Sequence, residues 1–356
     1  MSTQGRPRIG VVGTGWWSIE HHVPSLLGYE GAELAALADT NPEKLARVAS
    51  HFGVERTFAD AEELFVSGLV DGVMIAVPHA HHYPLARAAL DAGLHVFLEK
   101  PMTLASADAW DLVERAERAG LQLTVGYTFQ YTRAAQRLKR LFDEGTLGEL
   151  LAVSGIFASI VEAYYRGRPD DYASVFDFSL AGPDPQTYSD PKLAGGGQAA
   201  TQITHAMGLV LYVTGLAPTK VMAFMRNGEL EVDLVDAIAY ELSGGAVGTM
   251  AAAGTIRPGQ DLHEEARYFG SEGNAVHRLA EGTLEIALDD GTTERVALEE
   301  GESVYPAEAP ARGFADLIAG RGPNLAPAVP AARTVAFVEA AYRSAASGQP
   351  VAVEPR

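Results

Sequence analysis

The chain has 356 residues, 46 acidic and 27 basic, for a formal charge of −19, which argues against nucleic acid or an anionic membrane as main partner, since both need a basic face. It contains no cysteine, so disulfides, thiolate nucleophiles and Cys-built zinc or iron–sulfur sites are excluded. With 47% hydrophobic and 21% charged residues it can bury a full core, and a length of more than twice about 150 residues points to two domains. In chain order, the start Met1–Arg8 is short and polar, and no apolar run reaches the roughly 18 residues of a membrane-spanning helix, so a cytoplasmic protein is expected. Short apolar runs then follow at Ile9–Val12, Leu34–Ala38, Val73–Val77, His95–Leu98 and Leu121–Val125. They read as buried parallel strands, alternating with helical stretches at Glu43–His51, Ala61–Phe65, Leu85–Ala92 and Ser106–Ala119. Asn41-Pro42 suits a helix start, and Gly93 and Gly120 suit helix ends. This rhythm predicts an α/β fold with a doubly wound parallel sheet over residues 1–125.

Residues 126–356 change character. A helix is predicted around Arg133–Glu144, then a long strand at Leu150–Ser159. Residues 166–197 are irregular, with Pro169, Pro183, Pro185, Pro191 and Gly195-Gly196-Gly197, and a stretch of that kind suits a binding loop or lid. A helix at Thr201–Val213 precedes strands near 219–226, 234–242, 246–254, 265–270, 275–279 and 283–288. Turn signals such as Ser243-Gly244-Gly245 and Asp289-Asp290-Gly291 separate most of these strands and imply an antiparallel sheet. Helices at about 311–319 and 331–346 end the pattern, giving a second α/β domain.

The strongest local signal is Gly10-Val11-Val12-Gly13-Thr14-Gly15-Trp16-Trp17-Ser18, a dinucleotide fingerprint with Ser18 in the third small position. Gly13 permits the tight turn, Gly15 lets backbone approach a pyrophosphate, and amides of Trp16 and Trp17 open the helix toward the phosphates. Asp39 ends the next strand, where a carboxylate accepts ribose hydroxyls and repels a 2′-phosphate. NAD is therefore the expected cofactor, with Arg47 leaving NADP open. Pro78-His79-Ala80-His81-His82 follows a strand on the same sheet edge, so one or two of these residues are expected beside nicotinamide or ribose, the alternative being a solvated loop. No metal is expected, because loop neighbours rarely converge on one ion and no H-E-x-x-H spacing is present. Glu99-Lys100-Pro101 again follows a strand; a lysine there serves as general acid/base if its pKa falls, and otherwise reads as a surface Glu–Lys pair.

With Glu99-Lys100-Pro101 the chain resembles the glucose–fructose oxidoreductase, inositol dehydrogenase and MocA-type (Gfo/Idh/MocA) family of NAD(P)-dependent oxidoreductases. The order and spacing of further segments carry the resemblance: Ala89–Val96, Val125-Gly126-Tyr127, Gly145–Glu149, Gly195-Gly196-Gly197 leading to His205, Gly270–Gly273 and Ala340–Ser344. The resemblance implies a Rossmann domain followed by an α/β domain with a large open, mainly antiparallel sheet that serves oligomers, here a homodimer or homotetramer. It implies that Lys100 touches cofactor and substrate, that His205 faces the nicotinamide as acid/base or anchor, and that Pro78, His79, His82, Glu99 and Tyr127 stand among the cofactor contacts. His82 matches the family's Pro-Asn-x-x-His segment, while His79 stands where Asn is usual. Thr201 departs from the Asp that many sugar dehydrogenases of the family carry four residues before the histidine. A threonine cannot ionise, which shifts the acid/base role toward Lys100.

Tyr131, Tyr164 and Tyr165 lead the aromatics expected to contact a polyol, beside Thr201 and His205, with packing as their alternative. His21, His22, His51, His263 and His277 read as ordinary surface or strand residues. The expected activity is hydride transfer between nicotinamide and a secondary hydroxyl or ketone of a sugar, cyclitol or glycoside. Two alternatives are a redox-elimination glycosidase and a nucleotide sensor without turnover.

Overall fold

The computed structural model describes residues 5–354 except Asp177 and Ser179. The first sheet is parallel and six-stranded: β1 (Arg8–Val12), β2 (Glu33–Ala38), β3 (Thr57–Phe58), β4 (Gly72–Ile75), β5 (His95–Leu98) and β6 (Leu123–Val125), in the order β3-β2-β1-β4-β5-β6. Helices cover both faces, which is why β4 is buried at every position and β1 at all but its first. The chain order reverses between β1 and β4, so a crevice opens at the strands' carboxyl ends there. Local chemistry sets the helix limits. Asn41 accepts from the Lys44 amide at 3.0 Å, Pro42 follows it, and Gly53 closes that helix in the left-handed region.

The second sheet has nine strands: β7 (Leu150–Ala158), β8 (Pro218–Arg226), β9 (Val235–Leu242), β10 (Val247–Ala253), β11 (His263–Gly270), β12 (Gly273–Arg278), β13 (Thr283–Leu288), β14 (Thr293–Val296) and β15 (Val351–Ala352). Their order is β14-β13-β12-β11-β7-β10-β9-β8-β15, antiparallel throughout except for the β7–β10 pair. Helices Arg133–Asp143, Thr204–Thr214 and Ala328–Ser347 pack together, and the last lies on β8. The sheet's other face stays open, leaving Ile156, Phe224, Val247 and Phe269 exposed.

Two core assignments cross the expected break at 125/126. In the helix Ala328–Ser347, Ala328, Ala331, Ala332 and Val335 pack into the first domain's core, while Phe337, Ala340 and Ala341 pack into the second. The helix Ala309–Ile318 places Ala311, Phe314 and Ala315 under the first sheet. The first core therefore takes in chain from the far C-terminal side, and runs of alanine allow the close approach.

Three strands of the described residues lie outside the sequence pattern. β3, β14 and β15 are two to four residues long, too short for alternation to register. The helix expected at Thr201–Val213 begins as a π-helical turn, Ala199–Ile203, before its regular part, and Ser18–His22 is a second π turn. No helix among the described residues is long and apolar enough to cross a membrane.

Candidate active site

A cavity of about 1350 Å³ runs from the crevice of the first sheet to the second domain. At its nucleotide end Gly13 adopts φ +92°, donates its amide to the Ala38 carbonyl at 2.8 Å, and would drive a Cβ to 2.2 Å from the Ala76 carbonyl oxygen. Nothing lies within 4 Å of a Cβ built on Gly15, which leaves space at the turn for a pyrophosphate. Asp39 Oδ2 accepts from the Thr14 amide and hydroxyl, both at 2.8 Å, and from Lys44 Nζ at 2.8 Å; Oδ1 accepts from the Asn41 amide at 2.9 Å. Burial opposes its ionisation, but the Lys44 hydrogen bond and the two amides hold its carboxyl below the usual range. Oδ1 keeps capacity for ribose hydroxyls, so these residues fit an NAD adenosine half.

The chemistry-bearing residues converge at the mouth of β5. Glu99 Oε1 accepts from the Trp17 indole at 3.1 Å and lies 2.9 Å from His22 Nε2, while Oε2 accepts the Lys100 amide at 3.1 Å. Burial would raise the Glu99 carboxyl's pKa, but His22 and Lys100 together bring it below the ordinary value. The Lys100–Pro101 bond is cis. Lys100 Nζ donates to the Thr201 carbonyl at 3.2 Å. That carbonyl belongs to the π turn, where the regular helical hydrogen-bond ladder is interrupted. Burial lowers the Lys100 pKa from its ordinary value, and the Glu99 charge only partly offsets this.

His205 is buried, and its pKa lies well below the ordinary value because of burial and then the Lys100 charge. The imidazole is therefore neutral near pH 7. Its Nδ1 has no partner among the described residues, and its ring stacks on Phe157 with centroids 6.1 Å apart. The Thr201 hydroxyl is 2.5 Å from the Tyr165 hydroxyl and donates to the Gly197 carbonyl at 2.9 Å. Asp233 anchors this segment by accepting the amides of Gly197 and Ala199 at 2.8 and 2.7 Å.

Of the residues expected from sequence, Gly13, Gly15, Trp16, Trp17, Asp39, Pro78, His79, Glu99, Lys100, Tyr164, Tyr165, Thr201 and His205 line the cavity. Three do not. The His82 ring nitrogens lie 2.8 Å from the Pro101 carbonyl and 3.0 Å from that of Val77, so His82 ties two loops together rather than facing a ligand. Tyr127 is turned into the core with its hydroxyl 2.9 Å from Thr204 Oγ1. Tyr131 packs against the first domain's core, where adding a Cβ to Gly313 would press on its ring. His79 reaches the cavity, but its Nδ1 bonds the Ala194 carbonyl at 2.8 Å. The 160–194 stretch supplies much of the lining, including Val161, Phe176, Tyr188 and Leu193.

Several features in or beside the cavity were not legible beforehand. His22, which reads as an ordinary surface or strand residue, is buried against Glu99 at the end of the π turn Ser18–His22. Trp17 binds Glu99 through its indole as well as opening the helix. Lys44 pairs with Asp39 from the next helix, one turn after its cap. Phe157, Glu264 and Tyr305 complete the second-domain wall. For Glu264 a signal existed: it occupies the inward phase of β11 with Ala266 and Tyr268.

A glycine turn at a switch point, an acid on the neighbouring strand and a half-buried lysine in one two-domain cavity define a dinucleotide-dependent oxidoreductase. The chain belongs to the Gfo/Idh/MocA family: residues 7–127 match its "oxidoreductase family, NAD-binding Rossmann fold" model, and residues 135–276 its C-terminal domain model. It is an NAD-dependent enzyme of that family. Oxidoreductase YdgJ of Escherichia coli K12 is 27% identical over 95% of this chain and 96% of its own length. Inositol 2-dehydrogenase of Corynebacterium glutamicum is 27% identical over 63% of this chain and 65% of its own length. Among solved structures, levoglucosan dehydrogenase in complex with NADH and levoglucosan has a TM-score of 0.80 at 20% identity, covering 98% of this chain and 100% of that chain, which shows the shared fold.

Proposed function

We propose that the protein transfers a hydride between NAD and a secondary hydroxyl or ketone of a sugar or cyclitol, with Lys100 as acid/base. The observation that carries this reading is the Lys100 amine: it stands half-buried in the wall of the nucleotide cavity, and its direct partner among the described residues is the Thr201 carbonyl. Glu99, the adjacent carboxylate, is occupied by His22, Trp17 and the Lys100 amide, so it tempers the lysine's charge without taking its proton. An amine whose pKa burial depresses exchanges a proton with a substrate oxygen more readily than an exposed lysine does. NAD supplies the hydride chemistry when bound. His205, neutral and with a free Nδ1, offers that oxygen a second hydrogen bond. Thr201 and Tyr165 hold each other's hydroxyls in the place where an ionisable relay would otherwise stand. The inositol and levoglucosan dehydrogenases named above support the substrate class. The open face of the second sheet supports association of copies of this chain as a homodimer or homotetramer.

The test is a panel of sugars, cyclitols and glycosides read by NADH absorbance with NAD and NADP, for the wild type and Lys100→Met. Turnover with NAD is expected and is lost in the variant while NAD still binds; full activity in Lys100→Met ends this reading. Glycoside cleavage with bound NAD and no net NADH would replace it with redox-assisted elimination.

A further inference from the structure

The second-domain wall of the cavity holds a carboxyl that the chemistry above leaves unused. β11 runs antiparallel to β7 with Glu264 directly opposite Phe157. Opposed residues project from the same face of a sheet, so these two side chains stand side by side. Phe157 in turn lies ring to ring with His205, the planes 8° from parallel. Glu264, Phe157, His205 and Tyr305 all line the cavity. Glu264 is 9% exposed, and among the described residues no ion pair or hydrogen bond engages its carboxyl. Burial alone acts on it, pushing its pKa up to about 7. A carboxyl withdrawn from water without a partner is costly to keep, and in a ligand cavity the missing partner is a group on the ligand.

The distribution of cations narrows what that group is. The lysines and arginines lining the cavity are Lys44 and Arg47, on the helix that follows Asp39, and Lys100 at the mouth of β5. Among the described residues none comes from the second domain. A carboxylate or phosphate placed against that wall would meet Glu264 with no compensating charge.

We propose that Glu264 determines substrate specificity by accepting a hydrogen bond from a hydroxyl or amine of the sugar away from the reacting carbon, so that the substrates are neutral polyols and amino sugars, while uronic acids and sugar phosphates are rejected. This rests on the dehydrogenase reading of the same cavity and is tested by binding rather than turnover, which keeps the two separable. At a pH well above the value of about 7 up to which burial keeps Glu264 protonated, glucose, glucosamine and glucuronate are titrated into the NADH-loaded protein, followed by nucleotide fluorescence, for the wild type and Glu264→Gln. In the wild type glucose and glucosamine bind, and glucuronate binds at least about tenfold more weakly, a difference of about 1.4 kcal/mol. Glu264→Gln brings glucuronate to within about threefold of glucose, weakens glucosamine about tenfold, and leaves NADH affinity unchanged. Glu264→Ala provides a second variant of the same sign for glucuronate, and a thermal melt checks that both fold. Glucuronate binding the wild type as well as glucose, ratios unmoved by either variant, or no binding of glucose and glucosamine overturns the proposal. Activity surviving in Lys100→Met would remove the acid/base role of Lys100, and no turnover of any sugar, cyclitol or glycoside would remove the dehydrogenase reading, neither altering these ratios.

Discussion

The two ends of the cavity solve different problems. At the nucleotide end the key acid is satisfied by near neighbours: Asp39 takes bonds from Thr14, Asn41 and Lys44, and the glycine turn offers its backbone. At the substrate end the polar groups come from distant parts of the chain, and several have no partner among the described residues: His205 Nδ1, the Tyr164 hydroxyl and the Glu264 carboxyl. A satisfied site is preorganised for one constant ligand. An unsatisfied one stays costly until a matching ligand arrives, and so it discriminates between ligands.

The sharpest way to break this comparison is Lys100→Met. Loss of an acid/base group costs about 10²–10⁴-fold in kcat, while NAD affinity, held at the other end, changes little. In the wild type, oxidation rates should rise with pH and level off below the ordinary lysine pKa, because burial favours the neutral amine; a profile still climbing at pH 10.5 would place the amine in bulk water.

Gly13→Ala attacks the opposite end. Its Cβ would fall 2.2 Å from the Ala76 carbonyl oxygen at a backbone φ that alanine disfavours. Calorimetry should show NAD affinity reduced about 100-fold, roughly 2.7 kcal/mol. Asp39→Ala is milder, about tenfold in NAD affinity, since the turn backbone remains and only the ribose acceptor is lost. An unchanged NAD affinity in either variant would contradict the fit described for the glycine turn.

The smallest effect is on stability. Burial, and then Asp233, keeps Asp236 protonated up to about pH 9, and burial keeps Glu264 protonated up to about pH 7. The unfolded chain ionises both near ordinary carboxylate values, so across that interval the native state holds more protons and stability falls as pH rises. Burial likewise depresses His79 to about 3 and His277 to about 4, and holds His205 well below its ordinary value. These imidazoles gain protons only on unfolding, so stability falls as pH drops below about 6.5. Melting temperature should peak near pH 6.5, and Asp236→Asn should flatten the alkaline side; an unaltered slope there would mean that Asp236 ionises freely in the native chain.

Much of this architecture was legible. The βαβ rhythm, the Gly13–Ser18 turn, Asp39 and Lys100 announce themselves because each is read from neighbours in sequence: a strand end, a cap, a glycine whose φ no other residue adopts easily. Placement by resemblance was less secure. His82 and Tyr127 lie where family segments put them along the chain, yet their side chains satisfy interior carbonyl and hydroxyl partners instead of facing the cavity. His22 escaped because its partner Glu99 is 77 residues further along the chain, and Lys44 because its ion pair depends on how the helix after β2 settles against Asp39.

Periodicity, caps and the glycine fingerprint thus determined the parallel sheet, the nucleotide turn and the lysine at its edge, since all depend on local spacing along one stretch of chain. Only the tertiary structure decided that the helix Ala328–Ser347 joins both cores, that Thr201 offers its carbonyl to Lys100, and that Glu264 shares a wall with His205. Those relations arise from sheet register and packing between residues dozens to hundreds of positions apart, and no local pattern encodes them.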